Sequence, residues 1–189
     1  YYFTSFQKRA INTLKIIQKT MGSENIYFEE AWQLNERHYG ALTGLDKEEM
    51  KKKLGEKKIH EFRRSWNSRP ENLDKNSAYH PLNIKKYKNI PKEYIPNSES
   101  LEDTHNRVIP YFKSKILKLL KSNKDVLITA HGNSIRALCK YLLKISNEDI
   151  SNLEIPTGNP LVINFDKSLN VIKARYLDET RAKKLLVTN

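Results

Sequence analysis

Hydrophobic residues along this chain fall into helical repeats separated by short apolar runs. Phe6, Ala10, Leu14, Ile17 and Met21 recur at helical spacing and predict a helix that Gly22 can end. Ile26-Tyr27-Phe28 predicts a short strand. Asp46 with Glu49 reads as a capping box that opens a helix through Met50 and Leu54, and a second helical stretch covers 59–66. Over 68–98 the chain carries Pro70, Pro81, Pro91 and Pro96 with little periodicity, which predicts loops and short turns capping a site. Ser100 with Asp103 caps a long helix whose apolar face is Val108, Phe112, Ile116, Leu119 and Leu120, with a kink expected at Pro110. Residues 126–130 read as a buried, central parallel strand. His131-Gly132 follows, and then a helix capped by Asn133 or Ser134, with Ala137, Leu138, Tyr141 and Leu142 as its apolar face. Ser146 and Asp149 cap a short helix, 155–160 form a turn, and 161–165 with 171–177 predict a hairpin. The tail from Asp178 is basic and weakly helical. Helices alternating with short strands give an α/β fold with a mostly parallel sheet, to which the hairpin can add an antiparallel strand.

This layout places His131 at the carboxyl end of a strand and beside a helix N-terminus. Open α/β sheets bind ligands in that crevice, and free N–H groups with the helix dipole favour anions there. Arg9 lies in the first turn of another helix that follows a strand. Arg37, Arg63, Arg64 and Arg136 are further candidates for bidentate anion contacts, with Arg136 better placed to brace the loop; each is equally readable as a surface or structural charge. The stretch 32–40 has neither strong period and mixes aromatic, polar and charged residues, as loops that carry function do. Within it Glu36 is the acid/base candidate, against the plain reading of a surface Glu-Arg pair. His131 has three readings: a general base or phosphate-accepting nucleophile, a protonated donor to a phosphoryl group, or a neutral ring satisfied by backbone.

Charge narrows the partners. The chain has 34 Lys plus Arg against 22 Asp plus Glu, a net charge of +12. A nucleic-acid or membrane surface, a site for a multiply anionic small molecule, and Lys-rich solvated faces all account for that excess. The arginines do not form one basic stripe with stacking aromatics, which argues against nucleic acid. Cys139 is the only cysteine, so there is no internal disulfide and no Cys-type zinc site, and the other histidines lack ligand spacing; no metal is expected. No apolar stretch approaches the roughly 20 residues that span a bilayer, and a reducing cytoplasm is expected. The chain begins Tyr1-Tyr2-Phe3-Thr4-Ser5 without a methionine, as if a strand were running into a helix, and upstream sequence is expected.

Several of these segments together resemble the cofactor-dependent phosphoglycerate mutases of the histidine phosphatase superfamily. They are Lys8-Arg9-Ala10 with Thr13, Leu34-Asn35-Glu36-Arg37-His38-Tyr39-Gly40-Ala41-Leu42, Phe62-Arg63-Arg64, Ala130-His131-Gly132-Asn133-Ser134-Ile135-Arg136 and Ile155-Pro156-Thr157-Gly158. They stand in the family's order and reach from the first residues to about Leu177. The Asn-Glu-Arg-His-Tyr-Gly run is specific; the His-Gly-Asn-Ser run is shared across the superfamily. The resemblance implies a single domain over 1–189, a three-layer α/β/α sandwich around a mostly parallel sheet. It implies interconversion of 3-phosphoglycerate and 2-phosphoglycerate in glycolysis and gluconeogenesis, through a phosphohistidine, with 2,3-bisphosphoglycerate as primer and intermediate. Carried over, Glu36 is the proton donor and acceptor, and His131 is the second histidine that steadies the transferring phosphoryl group. Arg9, Arg37, His38, Tyr39, Lys47, Arg63, Arg64, Gly132 and Asn133 match positions that hold phosphate and carboxylate. A homodimer or homotetramer is implied as well. The family's Arg-His-Gly-Glu motif, which carries the nucleophilic histidine on the first strand, does not occur in these 189 residues. The expectation is therefore a domain lacking its amino-terminal portion, on the order of 30 residues or more, which does not form the phosphoenzyme by itself, and which can also lack a lid past Asn189. A bisphosphoglycerate mutase or a histidine-type phosphatase is the neighbouring alternative, and a basic nucleic-acid-binding module the remote one.

Overall fold

The computed structural model describes residues 1–182. The chain divides into two compact units, one of Tyr1–Glu36 with His105–Asn189 and the other Arg37–Thr104.

The first unit is built on a three-stranded parallel sheet of β1 (Tyr2–Thr4), β2 (Phe28–Glu30) and β3 (Leu127–Thr129), in the order β2-β1-β3. Tyr2 is in register with Phe28 on one side and Leu127 on the other. β3 therefore pairs on one side only among the described residues, so the strand read as central forms an edge of this sheet. Sequence periodicity reports burial, not pairing partners far along the chain. The expected strand at 26–28 is displaced to Phe28–Glu30, with Ile26 and Tyr27 exposed ahead of it.

Helix α1 (Lys8–Thr20) follows β1 and buries Ala10, Ile11 and Leu14, the face that its 3.6-residue repeat dictates. Phe3 of β1 meets Ala31, Leu34, Tyr111, Phe112 and Ile116 in an apolar core cluster, and Ile128 and Leu138 pack against it. Phe3 and Tyr111 stack edge to face with ring centroids 6.4 Å apart, and the Tyr111 hydroxyl donates to Glu29 at 2.8 Å. Burial raises the Tyr111 pKa first, and the Glu29 carboxylate adds to it.

The helix read as continuous across Pro110 is three segments: α4 (Leu101–Tyr111), a π-helical turn (Phe112–Ile116) and α5 (Leu117–Lys121). Pro110 has no N–H for the regular ladder, and the register change follows one residue after Tyr111. Helix α6 (Gly132–Leu142) starts just after β3 ends, and its N-cap is His131, ahead of the expected Asn133 or Ser134. Ser134 still caps: its hydroxyl accepts the His131 N–H at 3.1 Å. The hairpin forms as expected from β4 (Leu161–Phe165) and β5 (Val171–Tyr176), but as a separate two-stranded sheet. Glu179–Arg181 make one 3-10 turn of the tail; the remainder of its expected helix lies outside the described residues.

The second unit contains α2 (Lys47–Leu54), α3 (Glu56–Arg64) and the first turn of α4. Asp46 caps α2 by accepting from the N–H groups of Glu48 and Glu49. Ser100 and Asp103 make the expected reciprocal cap, with the Ser100 N–H on Asp103 at 2.7 Å and the Asp103 N–H on the Ser100 hydroxyl at 3.1 Å. The proline-rich stretch holds three short 3-10 turns, at Pro81–Asn83, Lys85–Tyr87 and Lys92–Tyr94. No helix among the described residues is long and apolar enough to cross a membrane.

Candidate active site

In the first unit, the strand ends and helix starts bring His131, Arg9, Glu36, Gly132 and Asn133 together. His131 is 5% exposed. Its Nδ1 accepts from the Arg9 Nε–H at 2.9 Å, and its Nε2 lies 2.7 Å from the Ser5 hydroxyl. An arginine Nε–H only donates, so Nδ1 is unprotonated and the ring proton sits on Nε2, directed at Ser5. The charges agree. Burial, with the Arg9 and Arg107 cations adding to it, pulls the His131 imidazole down to about 3, so the ring is neutral near pH 7. The ring is neutral, as one of the sequence readings has it, but its partners are the Arg9 and Ser5 side chains rather than backbone.

Glu36 lies in the loop between Asn35 and Tyr39, outside any helix or strand. Its carboxylate accepts from the Asn133 N–H at 3.3 Å and lies 4.0 Å from the Arg9 guanidinium. Asn133 is in the first turn of α6, so a carboxylate occupies the anion position at that helix N-terminus. The Glu36 side chain is 17% exposed and the Arg9 side chain 67%. It is therefore not the inert surface pair with Arg37 that adjacency alone allows. Arg136 braces the same corner as expected, giving Nη1 to the Asn133 side chain at 2.7 Å and to the Gly132 carbonyl at 3.3 Å, and Nε to Leu153 at 3.1 Å.

The second unit holds the other candidates. Arg37 is 1% exposed, and it donates from Nη2 to the Phe62 carbonyl. The Tyr39 ring is flanked by two guanidinium groups, with Arg37 Cζ 4.9 Å and Arg63 Cζ 5.7 Å from its centroid. His38 donates its N–H to Glu99 at 2.8 Å and accepts from the Gly40 N–H at 3.1 Å through Nδ1, with the His80 ring 6.0 Å away. Arg64 ends α3, and it is half-buried. Lys47 opens α2, and its side chain lies outside the described residues.

Ser5, Gln7 and Arg107 belong to this arrangement and escaped the sequence reading. Gln7 accepts the Glu36 N–H through Oε1 at 3.2 Å, and Arg107 reaches the carbonyls of the same loop. A polar residue directly after a strand marks Ser5 as a candidate; nothing local marks Arg107.

Comparison with known proteins identifies the family. The family model of the histidine phosphatase superfamily (branch 1) matches residues 1–80 and 71–177. The 2,3-bisphosphoglycerate-dependent phosphoglycerate mutase of Pelagibacter ubique (strain HTCC1062) is 60% identical over 187 residues, which are 99% of this chain and 78% of that protein. The protein of the same name from Borreliella afzelii (strain PKo) is 49% identical over 185 residues, 97% of this chain and 75% of that protein. Among solved structures, Bacillus stearothermophilus YhfR superposes with a TM-score of 0.61 at 18% identity, covering 96% of this chain and 74% of that one. A mycobacterial glucosyl-3-phosphoglycerate phosphatase gives a TM-score of 0.61 at 16% identity, covering 93% and 74%. These two structures share the fold; the closer sequence relatives carry the family. The chain belongs to the histidine phosphatase superfamily, branch 1, and within it to the 2,3-bisphosphoglycerate-dependent phosphoglycerate mutases.

Proposed function

We propose that the protein interconverts 3-phosphoglycerate and 2-phosphoglycerate, as a cytoplasmic enzyme of glycolysis and gluconeogenesis. The observation that carries the reading is the Glu36 carboxylate, held 3.3 Å from the Asn133 N–H and 4.0 Å from Arg9. It stands in a chain 60% identical to a 2,3-bisphosphoglycerate-dependent phosphoglycerate mutase.

Glu36 takes the proton of the accepting hydroxyl and returns one to the leaving oxygen, the positioned acid/base role. Its contacts with the α6 N-terminus and Arg9 keep the carboxylate aimed while leaving it in reach of solvent. Arg9 supplies the exposed guanidinium for a phosphoryl group. His131 acts as a neutral ring. With Nδ1 engaged by Arg9, its Nε2–H is the donor it can offer to a phosphoryl oxygen, in exchange for Ser5. Gly132 adds a main-chain N–H at a helix start, beside the Asn133 N–H that holds Glu36. In the second unit Arg63, Arg64 and Lys47 are assigned to phosphate and carboxylate. Arg37 and His38 are tied into the protein by Phe62, Glu99 and Gly40, and their contribution is to hold Tyr39 and its loop in place. In the first unit, the Arg9 guanidinium and the helix-start amides of α6 are donors of the kind that phosphate and carboxylate take. When bound, 2,3-bisphosphoglycerate supplies the phosphoryl group that primes the enzyme histidine. None of the five histidines of these residues sits in an Arg-His-Gly-Glu motif, so that nucleophile is assigned to none of them.

The test is the full-length protein supplied with 3-phosphoglycerate and catalytic 2,3-bisphosphoglycerate. Formation of 2-phosphoglycerate well ahead of inorganic phosphate release supports the reading. Phosphate release as the main reaction would overturn it in favour of a phosphatase.

A further inference from the structure

Arg107 lies on α4, outside every motif that marks the site, and its side chain reaches back to the loop that carries Glu36. Its Nη1 donates to the Gln33 carbonyl at 2.6 Å, and its Nη2 donates to the carbonyls of Asn35 at 3.1 Å and Glu36 at 3.3 Å. We propose that Arg107 is a positioning residue for Glu36, a main-chain clamp that fixes the acid/base carboxylate by tying the Asn35 and Glu36 carbonyls of its loop to the Gln33 carbonyl of the preceding 3-10 turn. The proposal rests on the functional reading above.

The loop needs such a clamp because it has no ladder of its own. Asn35 leaves the 3-10 turn Trp32–Leu34 with φ −59° and ψ 156°, and no helix or strand resumes before Gly40. Main-chain carbonyls of such a segment must find partners elsewhere. On the amide side the Asn35 N–H donates to the Trp32 carbonyl at 2.9 Å and the Glu36 N–H to the side chain of Gln7, the N-cap of α1, at 3.2 Å; the Asn35 side chain in turn accepts the Phe6 N–H at 2.9 Å. On the carbonyl side Arg107 supplies the donors. With both sides of the main chain pinned, only side-chain rotation is left to place the Glu36 carboxylate against α6.

The residue type matters. Three acceptors spread over four residues call for a planar fork with donors on separate arms, which a guanidinium offers. A lysine ammonium is a single donor centre on a flexible stem and cannot span them. The positive charge has a second effect, since Arg107 adds to the depression of the His131 pKa. One side chain thus bears on both groups assigned to proton and phosphoryl handling, without occupying the anion position itself.

Full-length wild type, Arg107→Ala and Arg107→Lys would be compared for isomerisation of 3-phosphoglycerate, with thermal melting recorded for each. Both variants are expected to lose kcat while KM stays within a few-fold, and a displacement near 1 Å at a reacting group corresponds to a loss of about 10²-fold. Guanidinium ion added to Arg107→Ala is expected to restore part of kcat, an effect that general loosening of the fold would not give. Should the alanine variant fail to fold, Arg107→Lys keeps the stem and the charge and carries the test alone. Wild-type kcat in the folded lysine variant, or a rise in KM that accounts for the whole loss, would overturn the clamp. A wild type with no isomerase activity would instead overturn the functional reading, and the clamp with it.

Discussion

Ser5 and His131 share a buried contact whose direction is set by Arg9 on the other ring nitrogen. Ser5 is fully buried, and its hydroxyl stands 2.7 Å from His131 Nε2 while also accepting the Gln7 N–H at 3.1 Å. Ser5→Ala leaves a buried ring N–H without its acceptor, and the expected cost is about 1–3 kcal/mol, read as a lower urea midpoint with an unchanged slope. The ring also makes stability depend on pH. An unfolded histidine titrates near 6.5, whereas the folded His131 stays neutral down to about 3. The unfolded chain therefore binds the extra proton, and the folded state loses ground as pH falls through that window, by up to roughly 1.4 kcal/mol per pH unit. Wild type is expected to lose more stability than His131→Asn between about pH 7 and about pH 5. Equal losses would show that the ring takes up its proton as readily in the fold as in the unfolded chain. At this scale the sequence was partly legible. Glu36, His131 and Arg9 stood out because each follows a strand or sits in an aperiodic polar loop. Ser5 and Arg107 did not, because their partners lie 126 and 71–74 residues away and leave no local spacing to read.

Elements were legible in proportion to their length. The 13 residues of α1 repeat their apolar face often enough to be read, and so do the 11 of α6. The three-residue strands β1, β2 and β3 are shorter than any period, so burial of the apolar run was visible but its boundaries and pairing were not. The π-helical turn after Pro110 was legible only as an interruption. Gly40 shows how a turn adds information that periodicity lacks. Its φ is +55°, and a Cβ there would overlap the Glu71 carbonyl and come within 2.7 Å of the Ser98 hydroxyl. Gly22, also at positive φ, has open space around that position. Gly40→Ala should cost roughly 2–5 kcal/mol from overpacking plus left-handed backbone, and Gly22→Ala only the backbone part, about 1–2 kcal/mol. Denaturant midpoints of the two variants check the difference, and equal shifts would contradict the crowding at Gly40.

At the scale of the whole molecule, the net charge of +12 meets a substrate proposed to carry phosphate and carboxylate. A field of that sign raises the rate of encounter with anions and is screened by salt. For the full-length protein, kcat/KM is expected to fall with ionic strength while kcat changes little; parallel falls would mean that salt acts on the chemistry. The chain spans 78% of the Pelagibacter relative and carries Glu36, His131 and Arg9 but no Arg-His-Gly-Glu motif. Family and fold class were therefore open to reading from the order of short motifs, while the division into two units was not, since α4 runs through both. The central claim is that Glu36 handles the proton in phosphoryl transfer. The most direct measurement is the isomerase kcat of full-length Glu36→Gln, which keeps the shape and the contact with the Asn133 N–H but removes the titrating group. A loss of about 10²–10⁴-fold with wild-type melting is predicted. Turnover within a few-fold of wild type would contradict the account.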